Sequence, residues 1–254
     1  MKKIYLLLLP FLCIGTFCFA QPVLIDDFST IQSASVQLIN EVDMNTQDGT
    51  GILGGERDVH LLKSFGSSLG SPSDTNFGPD FGVNFLNLDN GASQNSVLTV
   101  IYDGDDNDAS LTPNAIGLGG VNVQTNGSAF LLDITNDQNM MITITIYSGA
   151  GNSSTIISNF SANVSRLSAT FPFSGLVTAS GTGADLTNVT AIKLEITGDA
   201  NLDMDAISFR TNGTSVSNAN NTPIPTMSQW GLFIFGLLML NMGLIIVQEL
   251  KSIW

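Results

Sequence analysis

Met141-Ile142-Thr143-Ile144-Thr145-Ile146-Tyr147 alternates isoleucine with threonine at a period of two residues. In an extended strand, this alternation places the isoleucines on one face and the threonines on the other. Residues 191–197, Ala-Ile-Lys-Leu-Glu-Ile-Thr, repeat the pattern with Lys193 and Glu195 on the polar face. Both stretches therefore predict strands that cover a core with one face and meet solvent with the other.

Further strands are predicted along most of the chain before residue 210. Residues 97–102 and 129–134 predict more buried strands, and shorter candidates are residues 36–39, 59–62, 83–88, 165–171 and 204–209. Turn-forming pairs separate them, at Asp48-Gly49, Asn90-Gly91, Asp103-Gly104, Asn126-Gly127, Ser148-Gly149 and Thr197-Gly198. No helical period precedes residue 224. The pattern predicts an all-β fold, a single antiparallel β-sandwich or jelly roll.

The N-terminus has the features of an export signal. Lys2 and Lys3 precede an apolar run over residues 4–19, and Ala20 is a small residue suited to cleavage before Gln21. Both cysteines lie inside this segment. The mature chain is therefore expected to have no disulfide, no thiol nucleophile and no cysteine metal ligand.

The C-terminal part of the chain predicts a linker and a membrane helix. Residues 211–223 are polar and uncharged, which is typical of a flexible linker. From residue 230 to 247 no side chain is charged, and a helix needs ~17–25 apolar residues to cross a bilayer. The predicted organisation is a signal peptide at 1–20, a β-sandwich at 21–210, the linker, and a C-terminal motif with one transmembrane helix at 224–254.

The motif in front of this predicted helix carries a family resemblance. Ile224-Pro225-Thr226-Met227-Ser228-Gln229-Trp230-Gly231 resembles the IPTL-type C-terminal sorting domain of Gram-negative bacteria. The resemblance implies export through the inner membrane, recognition of the motif by an exosortase-type membrane transpeptidase, and delivery to the cell envelope or surface. The chain departs from the family pattern in two places. Met227 replaces the usual leucine, and Lys251 beside Glu249 replaces the usual basic cluster.

The charge balance excludes one class of partner. The chain has 22 acidic residues against eight basic ones, two of which, Lys2 and Lys3, belong to the predicted signal. A surface of this sign repels the phosphates of nucleic acids and anionic lipids, so neither is expected as a partner. The same acidity suits a soluble surface domain and divalent cations.

The two ends of the predicted sandwich carry a second resemblance. Leu24-Ile25-Asp26-Asp27-Phe28-Ser29 opens the domain, Gly54-Gly55-Glu56-Arg57-Asp58-Val59 follows, and Leu202-Asp203-Met204-Asp205-Ala206-Ile207-Ser208-Phe209 closes it. This layout is similar to exported domains of the galactose-binding-like jelly-roll class. The resemblance implies neighbouring first and last strands, glycan binding at one end or on a concave face, and, as in several members, a structural calcium.

One candidate calcium site follows the strand predicted at 97–102. Asp103, Asp105 and Asn107 place oxygen ligands at alternating positions of a tight loop, and calcium takes about six to eight oxygens. The place where a calcium loop carries its last glutamate holds Asn114. The alternative is an acidic, solvated turn.

A second candidate calcium site lies where the first and last strands would meet. It comprises four carboxylates: Asp26, Asp27, Asp203 and Asp205. The alternative is a set of ordinary strand-end carboxylates facing water. Arg57 between Glu56 and Asp58 has two open interpretations as well, an ion pair that orders the loop or an edge that binds sugar hydroxyls.

Residues suited to catalysis are few. His60 is the only histidine, it is expected to share a strand face with Leu62, and no Gly-x-Ser-x-Gly motif accompanies it. Both tryptophans lie beyond residue 229, so the aromatic candidates for stacking on a sugar are Tyr102, Tyr147, Phe77, Phe81 and Phe85. The sequence thus favours a non-enzymatic surface protein with a structural or adhesive role. The alternatives are a glycan-binding module, with or without calcium, and a hydrolase.

Overall fold

The regular secondary structure in the described part of the chain is β-strand, apart from one short 3-10 turn. The computed structural model describes residues 22–66, 72–80, 82–125 and 127–213. The strands are β1 (Leu24–Asp26), β2 (Gln32–Val36), β3 (Val42–Asp48), β4 (Glu56–Phe65), β5 (Ser73–Asp80), β6 (Val83–Asn90), β7 (Asn95–Tyr102), β8 (Ala129–Asn136), β9 (Met140–Tyr147), β10 (Ser153–Phe160), β11 (Asn163–Pro172), β12 (Val177–Ser180), β13 (Ala191–Gly198) and β14 (Asp203–Thr211). A short 3-10 turn, Phe173–Gly175, separates β11 from β12.

These strands form two antiparallel sheets, which confirms the all-β sandwich. Sheet A has the order β11-β8-β14-β6-β5-β2, with β1 also paired to β14. Sheet B has the order β12-β10-β9-β13-β7-β4-β3. Most neighbours in each sheet are distant in sequence, as in Greek-key and jelly-roll topologies.

The alternating isoleucines form the centre of the core. Ile142, Ile144 and Ile146 of β9 are fully buried, and so are Leu194 and Ile196 of the adjacent β13. Inward side chains from sheet A, including Leu86, Leu88, Leu132, Ile134 and Met204, complete the same cluster. The two inner faces interdigitate as expected of a sandwich.

The outward face of sheet B is polar where the sequence predicted it. Lys193 and Glu195 are half-buried, and Lys193 Nζ lies 3.8 Å from Glu195 Oε2. The Thr145 and Thr155 hydroxyls lie 3.1 Å apart across β9 and β10. The period-two interpretation of both stretches is therefore confirmed.

The prediction of a strand at residues 36–39 is wrong. The strand ends at Val36, and the Glu41 carboxylate accepts hydrogen bonds from the backbone N–H groups of Gln37 and Leu38, both at 2.6 Å. Asn40 then adopts a left-handed conformation with φ of 63°. These contacts close a turn, and Leu38 is left 54% exposed.

The first and last strands are neighbours, as the jelly-roll resemblance implied. Leu24 lies opposite Arg210, and Asp26 lies opposite Phe209. Val23 N donates to Thr211 Oγ1, and Thr211 N donates to Val23 O. The last strand ends at Thr211, one residue beyond the predicted boundary at 210.

The predicted signal peptide, most of the linker, the sorting motif and the C-terminal helix lie outside the described residues. Among the residues that are described, no helix is of a length and apolarity that would take it across a membrane.

Candidate functional site

A groove crosses the outer face of sheet A. It has a volume of about 320 Å³ and is lined by Asp80, Val83, Phe85, Asp133, Ile134, Thr135, Arg166, Asp205 and Ile207. Period-two alternation produces most of this lining, because β6, β8 and β14 bury one set of side chains in the core and turn the other set outward. Ile134 is the exception, since it belongs to the buried core. Five strands of sheet A, β5, β6, β8, β11 and β14, therefore contribute to one surface.

The floor of the groove is apolar and its margins are charged. Phe85 and Ile207 are half-buried, and Val83 is 47% exposed. Asp133 accepts hydrogen bonds from Arg210 Nη1 at 2.9 Å and Ser168 Oγ at 2.5 Å. Burial disfavours the charged form of Asp133, but these two donors prevail and lower its pKa below the ordinary value. Asp133 is therefore a fixed carboxylate at neutral pH.

A row of aspartates crosses the same sheet beside the groove. Asp203 of β14 lies opposite Asp89 of β6, and Asp89 lies opposite Asp74 of β5. Burial, followed by repulsion from Asp203, Asp74 and Asp137, raises the pKa of Asp89. Asn87 donates from Nδ2 to Oδ1 of Asp203 at 3.0 Å and of Asp205 at 3.1 Å, which offsets part of this repulsion.

Arg57 is buried between the sheets. Its Nη1 donates to Asp26 Oδ2 at 2.8 Å, and both side chains are fully inaccessible to solvent. Its Nε donates to Gln32 Oε1 at 2.7 Å, and its guanidinium carbon lies 3.8 Å from the centre of the Phe77 ring. The expectation of an ordering ion pair fits this geometry, although the partner is Asp26 rather than an adjacent carboxylate. The interpretation of Arg57 as a sugar-binding edge is wrong because no solvent reaches it.

The structure does not bring the end-strand carboxylates together. Asp26 points into the core, where Tyr102 Oη donates to it at 3.1 Å. Asp27 caps the following turn by accepting a hydrogen bond from Ser29 N. Asp203 and Asp205 lie on the exposed face of sheet A, and Asp205 stands four positions along β14 from the residue opposite Asp26, about 13 Å at ~3.3 Å per residue.

A different set of carboxylates converges at one end of sheet B. Glu56 and Asp58 lie on β4, and Asp103 and Asp106 lie on the loop that follows β7; we call these four residues the buried acidic cluster. Glu56, Asp58 and Asp103 are buried, and Asp106 lies at the exposed margin of the cluster. Carboxylate oxygens of Glu56, Asp58 and Asp106 lie within 4.8 Å of one another. A second such group joins Glu56 to the exposed Asp48 and Asp105. Two of the predicted calcium ligands, Asp103 and Asp105, thus lie in this region.

Three carboxylate oxygens of the buried acidic cluster lack hydrogen-bond partners among the described residues. Asp58 is 4% exposed and Asp103 is 3% exposed. Both oxygens of Asp58 and Oδ1 of Asp103 receive no hydrogen bond within the described structure. Burial, followed by the negative charge of Asp103, raises the pKa of Asp58 to about 9. Burial also raises the pKa of Glu56 and of Asp103.

The loop after β7 is held by its own backbone. Asn107 adopts a left-handed conformation with φ of 56°, and its N–H donates to both Glu56 oxygens at 3.1 Å. Asn114 N donates to Asp103 Oδ2 at 2.6 Å, and Asn114 Nδ2 donates to Asp106 Oδ2 at 3.0 Å. The Asn107 side chain donates to Asp105 rather than joining the carboxylates. The loop is therefore fixed with Asp103 and Asp106 beside β4.

Sequence reasoning missed Glu56, Asp58 and Asp106 as members of this cluster. The signal was present, because alternation along β4 puts Glu56 and Asp58 on one face and Arg57 on the other. The missing information was the pairing of β4 with β7, in which Asp58 lies opposite Ile101, two residues before Asp103.

The aromatic and histidine candidates are now placed. Tyr102 and Phe77 are core residues, Tyr147 is half-buried on sheet B, and Phe85 lines the groove. Phe81 lies outside the described residues. His60 is half-buried and its cross-strand neighbours are Met44 and Thr99, neither of which completes a catalytic triad.

Comparisons with known proteins give likenesses of fold at low identity. No protein-family model matches the chain. No curated protein matches its sequence. A family 11 carbohydrate-binding module from Clostridium thermocellum, solved with a β-1,3-1,4-mixed-linked tetrasaccharide, matches with 12% identity and a TM-score of 0.37 over 76% of this chain and 95% of its own.

Two further solved structures resemble the chain to a similar degree. A family 30 carbohydrate-binding module of a Clostridium thermocellum cellulosomal cellulase matches with 9% identity and a TM-score of 0.35, over 76% of this chain and 97% of its own. The agarase AgWH50C matches with 11% identity and a TM-score of 0.37, over 60% of this chain and 24% of its own. At these values the chain is similar to such sandwiches, and the likeness identifies neither its family nor its ligand.

Proposed function

We propose that the chain is an exported, non-catalytic carbohydrate-binding module displayed at the cell envelope. The observation that carries the proposal is the groove on sheet A, which combines an apolar floor with fixed polar groups at its margins. A sugar ring presents C–H groups on its faces and hydroxyls around its edge. The groove offers a complementary surface for each.

The floor suits the face of a sugar ring. Phe85 is an aromatic side chain turned out of the core on this sheet, and Val83 and Ile207 extend the apolar area beside it. Aromatic rings contribute a large contact area at a small cost in conformational entropy. A bound ring would lie across β6 and β14, the strands that carry these side chains.

The margins suit hydroxyl groups. Asp133 is held in place by Arg210 and Ser168, so it can accept a hydrogen bond without being reordered. Asp80 and Asp205 add acceptors, and Arg166 adds donors on the other side of the groove. The acidic surface repels uronate and sulfate groups, so the ligands expected are neutral polysaccharides.

The proposed location at the cell envelope rests on the sequences near the two ends of the chain. The signal-like residues 1–20 and the motif at 224–231 support export followed by handling by an exosortase-type enzyme at the inner membrane. The apolar residues after the motif support a membrane helix that holds the protein, at least until processing. The adhesive role proposed for the domain is then attachment of the envelope to neutral glycans.

The test is a titration of the purified protein with soluble neutral oligosaccharides from a glycan screen. Phe85→Ala should weaken binding of the best ligand about tenfold, which corresponds to ~1.4 kcal/mol. Phe65→Ala is the matched control, since Phe65 is 64% exposed on sheet B and far from the groove lining. Arg166→Ala and Lys193→Ala form a second pair of the same design.

Equal affinities of the Phe85 and Phe65 variants would overturn the assignment of the groove. Absence of binding to every neutral glycan in the screen would overturn the function. Release of shorter sugars from the ligand during the titration would favour a hydrolase over a binding module.

A further inference from the structure

We propose that the buried acidic cluster is a calcium site that locks the loop after β7 onto β4. This inference is independent of glycan binding, because the cluster lies on sheet B and the groove lies on sheet A. Its ligands differ from the set that the sequence suggested, since Glu56, Asp58 and Asp106 join Asp103 and the Asn107 side chain does not.

The unpartnered oxygens are the first argument. Asp58 is 4% exposed, yet neither of its oxygens receives a hydrogen bond. Asp103 Oδ1 is also buried and also receives none. A buried carboxylate without a donor costs several kcal/mol in general, and proteins seldom keep one without a compensating partner. A cation bound between these oxygens is such a partner.

The arrangement of the other oxygens is the second argument. The loop directs its own donors at Glu56 from one side and at Asp103 Oδ2 from another, through Asn107 N and Asn114 N. Both Asp58 oxygens are left without a donor among these carboxylates, and the charge of Asp103 acts on Asp58. Three carboxylates of the cluster have oxygens within 4.8 Å of one another, and two oxygens on one calcium can be separated by up to about twice ~2.3–2.6 Å.

The absence of a local counter-charge is the third argument. The ion pairs found among the described residues join Asp26, Glu195 and Asp133 to basic groups, and none of these acids belongs to the cluster. Arg57, although it lies between Glu56 and Asp58 in sequence, points to the opposite face of β4. Four carboxylates thus lie together without a paired basic side chain in that part of the structure.

The chemistry selects calcium among common cations. All the ligands are oxygens of carboxylates, which hard cations prefer, and the described cluster offers no histidine or cysteine for zinc. Calcium accepts an irregular shell of about six to eight oxygens, so bidentate carboxylates and water can complete it. Magnesium requires a near-ideal octahedron at ~2.0–2.1 Å, which a set drawn from a strand and a separate loop is less suited to supply.

The test uses the full-length chain in mild detergent, stripped with EDTA and then titrated with calcium chloride. We expect one binding event per chain in calorimetry and a rise in Tm at a calcium concentration well above Kd, because a ligand bound only to the folded state stabilises it. Magnesium chloride at the same concentration should give a smaller rise.

Two variants separate a calcium site from a general effect on folding. Asp58→Asn should abolish the calcium response, yet its Tm in EDTA should equal or exceed that of the unmodified chain, because a buried amide needs no counter-charge in that position. Asp108→Asn is the control, since Asp108 is an exposed acid of the same loop outside the cluster, and it should keep the full response. An unmodified chain that neither binds calcium nor gains Tm would overturn the proposal, as would an Asp58→Asn variant that responds normally. Either result would mean that the cluster is not the calcium site proposed here.

Discussion

Arg57 Nη1 and Asp26 Oδ2 lie 2.8 Å apart, and neither side chain is exposed to solvent. Asp26 belongs to β1, which pairs with β14 in sheet A, and Arg57 belongs to β4 in sheet B, so one ion pair ties the two sheets together. Its remaining hydrogen-bonding groups are satisfied: Arg57 also donates to Gln32 and Thr30, and Asp26 also accepts from Phe28 N and Tyr102. These contacts offset only part of the cost of burying two charges, since burial outweighs them and raises the pKa of Asp26.

Arg57→Met should lower the free energy of unfolding by about 3–5 kcal/mol, because Asp26 would keep a buried charge with no counter-charge. Urea denaturation at neutral pH measures the loss. Arg210→Met is the control: its pair with Asp133 is half-exposed, and the expected loss is about 0–1 kcal/mol. Adding Asp26→Asn to Arg57→Met should recover part of the stability. Equal losses in the Arg57 and Arg210 variants would contradict the importance of the buried pair.

Asp89→Asn should stabilise the chain at pH 7 by about 0.2–1 kcal/mol, since it removes one of the like charges that face each other across β14, β6 and β5. The pKa of Asp89 is raised in the folded chain, so the folded state binds its proton more tightly than the unfolded state does. Stability is consequently lost as the pH rises from the ordinary pKa of aspartate through the folded one. The gain from Asp89→Asn should be present at pH 7 and vanish near pH 3 in thermal melts.

Asp185→Asn is the control for this test, because the pKa of Asp185 is shifted in the opposite direction to that of Asp89. Hydrogen bonds from Thr187 lower the pKa of Asp185, so the folded state favours its charged form. Its replacement should give no gain at pH 7. A stabilising effect of both substitutions would point to net charge in general rather than to the aspartate row.

Gly117→Ala should destabilise the loop after β7 severely, because the added Cβ would lie 1.2 Å from the carbonyl oxygen of Asp103. We expect a loss of about 3 kcal/mol or more in urea denaturation, together with a weaker calcium response. Gly119→Ala is the matched control. Gly119 has φ of 68° and no heavy atom near the added Cβ, so its substitution should cost only the ~1–2 kcal/mol of a left-handed backbone. Equal losses would mean that the loop tolerates the displacement.

The C-terminal motif leads to a prediction about mass. If an exosortase-type enzyme processes the chain, the protein recovered from native envelope or medium should lack everything from near Ile224 onward. The double variant Trp230→Ala, Gly231→Ala should retain the tail. Intact-mass measurement of both proteins distinguishes the outcomes. A mass that runs from Gln21 to Trp254 in both would contradict processing and leave the tail as a membrane anchor.

The sequence was sufficient to predict the strands that have a clear alternation of apolar and polar residues. Residues 141–147 and 191–197 are found as β9 and β13, and their isoleucines and leucine are buried as expected. Strands with polar or turn-like composition were missed. Ser73–Asp80 contains Gly78 and Pro79, and Ser153–Phe160 is mostly polar, so neither has the composition of a typical strand. Pairing with β6 and β9, respectively, holds them in the sheets.

The candidate sites depended on contacts that local patterns do not contain. Acidic residues after β7 were visible in the sequence, but their partners on β4 lie some 50 residues away along the chain, as in the hydrogen bond from Asn107 to Glu56. The groove was even harder to predict from the sequence. Its lining comes from β5, β6, β8, β11 and β14, and only the strand order of sheet A brings them side by side.

That strand order also determines how the domain would bear tension. The strand that leads toward the C-terminus, β14, lies inside sheet A between β8 and β6, with β1 also paired to it. Ladder hydrogen bonds run perpendicular to their strands, so a pull along β14 loads all of them at once in shear rather than one after another. A domain held by its C-terminus would therefore resist extraction of that strand. A glycan bound in the groove would pull on the same strand, because Asp205 and Ile207 of β14 line the groove.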